Sequence, residues 1–140
     1  MTFEQRSMTA DEVLGIMAQV VAEYGDTFVY AKVSTPGSSY SVCLNWDNDC
    51  PSCLIGHVMH RWGMPEDILA NFPSQGVSNL MHRFALKHGP MGIENGAMRA
   101  MAEAQANQDD GTPWGLCLEK ARRVVEDWRA EVVLEGTVES

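Results

Sequence analysis

The clearest helical pattern of the chain lies in Thr112-Pro-Trp-Gly-Leu-Cys-Leu-Glu-Lys-Ala-Arg-Arg-Val-Val-Glu-Asp-Trp128. Thr112 is a favourable N-cap, and Pro113 suits the first turn because a helix has no use for the backbone N–H there. The apolar residues that follow share one helical face: Trp114, Cys117, Leu118, Ala121, Val125 and Trp128. This stretch predicts an amphipathic helix that covers a hydrophobic core.

Further helices are predicted upstream of this one. Thr9 and Glu12 have the spacing of a capping box and open a helix from Ala10 to Tyr24, which Gly25 ends. Apolar spacing and Pro or Gly residues at the ends predict four more helical segments. They are Pro51 to Trp62, Pro65 to Asn71, a helix through Val77, Leu80, Met81 and Phe84, and one from Ile93 to about Asp109.

A different pattern fills residues 28–46. Phe28 to Val33 is rich in β-branched and aromatic residues, and apolar and polar residues alternate from Tyr40 to Trp46. The segment between them contains Pro36 and Gly37, which favour a turn. We therefore expect an antiparallel β-hairpin, and the fold class predicted is α+β, mainly helical, with about five helices on this small hairpin. The predicted core consists of Val42, Leu44, Trp46, Leu54, Val58, Leu80, Phe84, Met101, Leu118 and Val125.

The composition predicts one globular domain over residues 1–140, with flexible ends at 1–8 and 135–140. Ten basic residues face nineteen acidic ones, and this net charge of −9 argues against binding to nucleic acid phosphates. No apolar run reaches the roughly 18 to 20 residues of a membrane span, and the N-terminus does not have the pattern of a signal peptide. We therefore expect a cytoplasmic protein with no nucleic acid or membrane partner.

Four cysteines, Cys43, Cys50, Cys53 and Cys117, are expected to be reduced, because a chain of this size and compartment does not need disulfides. Cys50-Pro-Ser-Cys53 lies between a predicted strand and a predicted helix, where backbone N–H groups lower the pKa of a thiol. This CxxC motif has the local form of a glutaredoxin-type site. The helices predicted after it do not continue a thioredoxin-like fold.

The same motif offers a second chemistry. Cys53, His57 and His60 are spaced by four and three residues and share one side of a helix, with Cys50 just before it. Four N and S ligands suit tetrahedral Zn²⁺, although four ligands within eleven residues strain that geometry. The alternative is structural: Cys53 is buried, His57 is hydrogen-bonded and His60 lies at the surface. We expect no bound metal or cofactor and no catalytic residue.

Two stretches of the chain resemble a group of small proteins. They are Cys50 to Gly63, with the sequence CPSCLIGHVMHRWG, and Ala104 to Gly115, with the sequence AQANQDDGTPWG. Both resemble proteins of no assigned activity that actinobacteriophages and some actinobacterial hosts encode. Cys53 and Gly56 match the pattern of that group, which has a helix opened by Pro-x-Cys-Leu and a later Gln-Asp-x-Gly-x-x-Trp turn. The resemblance implies a phage origin.

A phage origin and a small, acidic chain with few motifs predict a non-enzymatic accessory protein. We expect it to bind a host protein in the bacterial cytoplasm, and inhibition of host growth is one effect that such binding can have. The alternative function is a thiol- or zinc-dependent enzyme or redox protein centred on Cys50, Cys53, His57 and His60. No other enzyme motif of the GxGxxG, GxxxxGK[ST], GxSxG or HExxH type occurs in the sequence.

Overall fold

Six helices make up most of the described structure. The structure is a computed structural model that describes residues 7–30, 33–34, 41–42, 46–47, 50–51, 53–71, 77–88 and 92–139. The helices are α1 (Ala10–Tyr24), α2 (Leu54–Trp62), α3 (Glu66–Asn71), α4 (Val77–His88), α5 (Asn95–Asp109) and α6 (Trp114–Glu139). The prediction of a mainly helical protein is confirmed.

Helix α1 has the predicted boundaries because local signals set both of its ends. The Thr9 side chain accepts a hydrogen bond from the backbone N–H of Glu12, and the Glu12 carboxylate accepts from the backbone N–H of Thr9. At the other end, the backbone N–H of Gly25 donates to the carbonyl of Val21. Gly25 has a φ of 98°, which L side chains rarely adopt, so glycine ends the helix.

Helix α2 begins later than predicted. The sequence places Pro51 in its first turn, but Cys50–Pro51 forms a strand and Cys53 is the N-cap. The predicted end is confirmed, because Gly63 follows Trp62 in the left-handed conformation, with a φ of 118°. The N–H groups of Gly63 and Met64 donate to carbonyls of the last helical turn, which is a Schellman motif.

The last two helices also differ from their predicted bounds. Ile93 belongs to a strand, so α5 begins at Asn95 rather than at Ile93. Strand structure already starts at Ser7, and α6 is helical to Glu139. Regular structure therefore extends into both segments, 1–8 and 135–140, that the sequence predicts to be flexible.

The described strands are short and do not form the one antiparallel β-hairpin over residues 28–46 that the sequence predicts. Strands β1 (Ser7–Met8) and β6 (Gly92–Ile93) form a parallel pair, which the sequence did not predict. Antiparallel pairing is limited to two ladders of two residues per strand, because β2 (Val33–Ser34) pairs with β3 (Ser41–Val42) and β4 (Trp46–Asp47) pairs with β5 (Cys50–Pro51). Phe28 to Tyr30, predicted as strand, is irregular.

The buried apolar side chains form one cluster between the helices. Helices α5 and α6 have the most extensive contact, and α1 packs on α2, α5 and α6. Seven residues of the predicted core are buried: Leu54, Val58, Leu80, Phe84, Met101, Leu118 and Val125. The side chains of the other three, Val42, Leu44 and Trp46, lie outside the described residues.

The start of α1 is fixed by residues that are distant in sequence. The backbone N–H of Glu94 donates to the carbonyl of Met8 at 2.9 Å, and the backbone N–H of Ala10 donates to Oε1 of Glu94 at 2.8 Å. On the other side, Arg129 of α6 forms an ion pair of 2.6 Å with Asp11. The junctions before α1 and α5 therefore meet the second half of α6.

Candidate functional site

Cys53 of the CxxC motif is fully buried and has a structural role. Its Sγ accepts a hydrogen bond from the backbone N–H of Gly56, with 3.4 Å between the two atoms. The backbone N–H of Leu54, the first residue of α2, donates to Oε1 of the buried Gln108 at 2.7 Å. Because these donors at the start of α2 are used within the protein, they are not aimed at a ligand.

Neither of the two cysteines whose side chains are described is an accessible nucleophile. Cys53 and Cys117 are both buried, and neither is in a disulfide. Burial raises the pKa of the Cys117 thiol to about 11, so this thiol stays protonated at neutral pH. The side chains of Cys43 and Cys50 lie outside the described residues, so the predicted Cys50 and Cys53 pair stays a prediction.

His57 is held by aromatic rings. Its side chain lies in the core with 8% of its surface exposed, and its ring centroid is 5.1 Å from that of Tyr24 and 6.1 Å from that of Trp114. Within the described part of the chain, this ring packs against the aromatic rings of Tyr24 and Trp114, and the hydrogen bond that the sequence predicts for His57 stays a prediction. Burial lowers the pKa of His57 to about 4, with a further contribution from the Arg61 charge.

His60 is partly exposed, as the structural alternative predicts, and its Nε2 lies 3.4 Å from Oε1 of Glu66. Cys53 and His57 are buried on the same helix, whereas His60 faces its acidic partner at the surface. Within the described part of the chain, no three His, Cys, Asp or Glu side chains are grouped to hold a metal ion. The Cys50 side chain lies outside that part, so the four-ligand hypothesis as a whole stays untested.

Buried His57 predicts a pH dependence of stability. The pKa of His57 in the folded state is below the ordinary 6.5. As the pH falls, His57 in the unfolded chain therefore binds a proton at a higher pH than His57 in the folded chain does. The free energy of unfolding is therefore expected to fall by about 2 kcal/mol between pH 7 and pH 5. Urea denaturation at several pH values measures it. The His57→Phe variant, which keeps an aromatic ring, is expected to lose most of this dependence.

His60→Gln is the matched control, because His60 lies one turn away and is partly exposed. It should keep the pH dependence of the wild type. The range above pH 5 also avoids Glu23, whose pKa the hydrogen bond from Arg61 holds below 4.5. An unchanged pH dependence in His57→Phe would show that His57 is not the group responsible.

A groove lies where α6 passes the starts of α1 and α5. Its volume is about 510 Å³, and it is lined by Thr9, Asp11, Glu94, Trp128, Arg129, Val132 and Val133. The ring of Trp128 lies directly on Gly96 of α5, where a Cβ atom would overlap it. The absence of a side chain at Gly96 therefore lets Trp128 pack down and form the apolar wall of the groove.

The charged groups around this groove bind one another. Arg129 pairs with Asp11, and Glu94 accepts from the backbone of Ala10. Nearby, Arg99 pairs with Glu131 at 2.9 Å. The apolar side chains of Trp128, Val132 and Val133 also line the groove, so the arrangement can bind an apolar side chain.

Two exposed apolar residues of α6 line the groove. Exposed fractions are 48% for Val132 and 67% for Val133, whereas Leu134, exposed by 65%, does not line the groove. Sequence reasoning missed this surface because the predicted apolar face stopped at Trp128. A signal was present, since Val132 falls four residues after Trp128 and continues the same face.

No known protein family, curated protein or solved structure matches the chain. Among the described helices, none has both the length and the apolar character that crossing a bilayer requires.

Proposed function

We propose that this chain is a phage-encoded accessory protein that acts in the bacterial host cytoplasm by binding a host protein. The binding surface is the groove surface, defined by Trp128, Val132 and Val133 on α6. The observation that carries the proposal is the exposure of Val132 and Val133, which line an open groove. Contiguous exposed apolar residues next to a groove are typical of protein interaction sites.

The energetics favour a role in binding over a role in folding. Burying a Val side chain stabilises a protein by about 1.5 to 3 kcal/mol, and the exposed Val133 contributes little of this to the fold. Trp128 is partly buried against the core and presents its remaining surface to the groove. Large aromatic residues in such settings often contribute most of the affinity of an interface.

The enzyme alternative has less support from the geometry. The Cys53 thiol is buried and caps a helix, His57 is neutral at pH 7 and His60 is paired with Glu66. A thiol-dependent reaction needs an accessible thiolate next to a base, and the described side chains do not offer one. This geometry supports a binding role over a thiol-dependent reaction.

Site-specific photo-crosslinking in host cells tests this proposal. A photoreactive amino acid at position 133 is expected to capture one major host protein. The matched control places it at position 86, because Leu86 of α4 is 69% exposed but does not line the groove. We expect little or no crosslinking from position 86, since an exposed apolar residue alone does not form a site.

The Val133→Ser variant supplies the functional arm of the same experiment. If host binding occurs through the groove surface, this variant should lose capture at the neighbouring position 132 and lose any effect on host growth. Leu86→Ser should keep both. Equal capture from positions 133 and 86, or no capture from 133, would contradict the proposal.

A further inference from the structure

An Asn-Gly pair lies at the start of α5. Asn95 is the first residue of this helix, and it is the only asparagine of the chain that precedes a glycine. Asn95 is exposed, whereas Gly96 is buried under the ring of Trp128. The side-chain amide of an asparagine can be attacked by the backbone nitrogen of the next residue, and glycine favours this attack because no Cβ hinders the approach. The pair therefore combines a reactive sequence with an accessible amide.

The helix does not use the N–H group of Gly96. Gly96 is the second residue of α5, and the first N–H groups of an α-helix have no acceptor within it. The N-cap Glu94 makes no side-chain hydrogen bond to this helix end, and its Oε1 accepts from the backbone N–H of Ala10 instead. The nitrogen that would attack Asn95 is therefore not held by a capping side chain.

The first turn of α5 controls access to the reaction. A helical backbone at Asn95 keeps the Gly96 nitrogen from reaching the side-chain carbonyl carbon, so this turn has to open. The hydrogen bond from the backbone N–H of Met98 to the Glu94 carbonyl, 3.1 Å long, then has to break. Helix ends open at a much lower free energy than the core does. Trp128 opposes the opening, because its ring lies on Gly96.

Asn107, near the other end of the same helix, is held more firmly. Its Nδ2 donates to the Glu103 carbonyl at 2.8 Å and to the Glu103 carboxylate at 3.0 Å, and its Oδ1 accepts from Nζ of Lys120 at 3.0 Å. The next residue is Gln108, which has a Cβ. Asn107 is therefore an internal reference for an asparagine that the fold protects.

We propose that Asn95 is a site of spontaneous deamidation in the folded chain. The backbone nitrogen of Gly96 loses its proton and forms a bond to Cγ of Asn95, and the side-chain nitrogen takes up a proton and leaves as ammonia. Water then adds to either carbonyl carbon of the resulting succinimide and opens the ring, which leaves aspartate or isoaspartate at position 95. The net reaction consumes water and releases ammonia, without an oxidant, a reductant or an enzyme.

The two products differ in their effect on the fold. Aspartate places a negative charge in the first turn of α5, which the helix dipole favours. Isoaspartate routes the main chain through the Cβ of residue 95 and so lengthens it by one carbon. Glu94 is bonded to the start of α1 on one side of this position, and Gly96 packs against Trp128 on the other. Isoaspartate therefore strains the junction that joins α1, α5 and α6.

Peptide mass analysis of aged protein tests the proposal. The folded chain is incubated at neutral and at mildly alkaline pH, and trypsin then releases residues 88–99 with Asn95 and residues 100–120 with Asn107. Residues 88–99 are expected to gain the mass difference between NH2 and OH at least about tenfold faster than residues 100–120. The rate should rise with pH, because the attacking nitrogen has to lose its proton. Equal rates for the two peptides would overturn the proposal.

Two variants at position 95 separate the reaction from its consequence. Asn95→Gln keeps the amide but would have to close a larger ring, so residues 88–99 should gain no mass. Freshly prepared Asn95→Asp has the charge of the product without the longer main chain and should melt at or above the wild-type temperature. Aged wild-type protein should melt at least about 3 °C lower than Asn95→Asp. Equal melting temperatures would overturn the strain that we assign to isoaspartate.

A third comparison distinguishes opening of the first turn from global unfolding. Trp128→Ala removes the ring from Gly96 and should raise the deamidation rate at Asn95 about threefold or more. Leu69→Ala also removes a buried side chain, but from α3, and should leave this rate close to that of the wild type. Equal acceleration in both variants would show that the reaction occurs in unfolded molecules, and the proposal for the folded chain would be wrong.

Discussion

Replacing Trp114 by alanine is expected to lower the free energy of unfolding by about 4 kcal/mol, because the substitution leaves a large cavity in the core. Trp114 is fully buried, and its ring contacts those of Phe28 and Tyr24 at centroid distances of 4.5 and 5.1 Å. His57 lies on the same cluster. Urea denaturation followed by circular dichroism measures the change.

Trp114→Phe is the informative control. No described residue accepts a hydrogen bond from the indole Nε1 of Trp114, although this atom is buried. Phenylalanine removes that unsatisfied donor and keeps an aromatic ring, so we expect it to cost about 1 to 2 kcal/mol. A loss as large as that of Trp114→Ala would show that Nε1 makes an important interaction after all.

Gly115→Ala is expected to lower the free energy of unfolding by about 2 to 3 kcal/mol. A Cβ at position 115 would lie 2.7 Å from the Cβ of Asp26 and 2.9 Å from its backbone Cα and O atoms. The backbone N–H of Gly115 donates to the Asp26 carbonyl at 3.0 Å, and that of Trp114 donates to the Phe28 carbonyl at 2.8 Å. The backbone of Asp26 cannot move away from position 115 without breaking these hydrogen bonds.

Gly15→Ala provides the matched comparison within the same chain. Gly15 lies in the middle of α1, and a Cβ there would have no atom within 4 Å. Alanine favours a helix over glycine, so this variant should gain about 0.5 to 1 kcal/mol. If thermal and urea unfolding show the same direction of change for both variants, the close approach at Gly115 does not control stability.

Local signals explain the parts of the fold that could be predicted. The Thr9 and Glu12 capping box and Gly25 act within a few residues of the helix ends that they define, so α1 was predicted with its observed bounds. Gly63 likewise ends α2 by bonds to its own last turn. These interactions depend on neighbouring residues alone.

Pairings between distant segments could not be predicted in the same way. Strands β1 and β6 each have two residues and are more than 80 residues apart, so neither has a pattern of its own. Helix α2 starts at Leu54 rather than at Pro51 because Cys50–Pro51 pairs with Trp46–Asp47, which helical spacing does not reveal. Tertiary pairing overrides local preference at both places.

The candidate site also has features that local sequence signals predict and features that depend on distant segments. Spacing correctly placed Cys53, His57 and His60 along one helix, but only the three-dimensional structure shows that Cys53 and His57 are enclosed. The groove was missed because three separate segments form it, around Thr9, Glu94 and Trp128. A single sequence shows the apolar residues of α6 but not what surrounds them.

The anchoring of α1 has a consequence for how the protein is made. The ribosome synthesises α1 long before Glu94 and Arg129, the residues that bind its first turn. Helix α2 follows α1 closely and can cover part of its apolar face early, but the part of α1 that contacts α5 and α6 stays exposed until those helices are made. Helices α5 and α6 are adjacent in sequence and can pair as soon as both have emerged, so α1 is made before them and its packing is completed only after them.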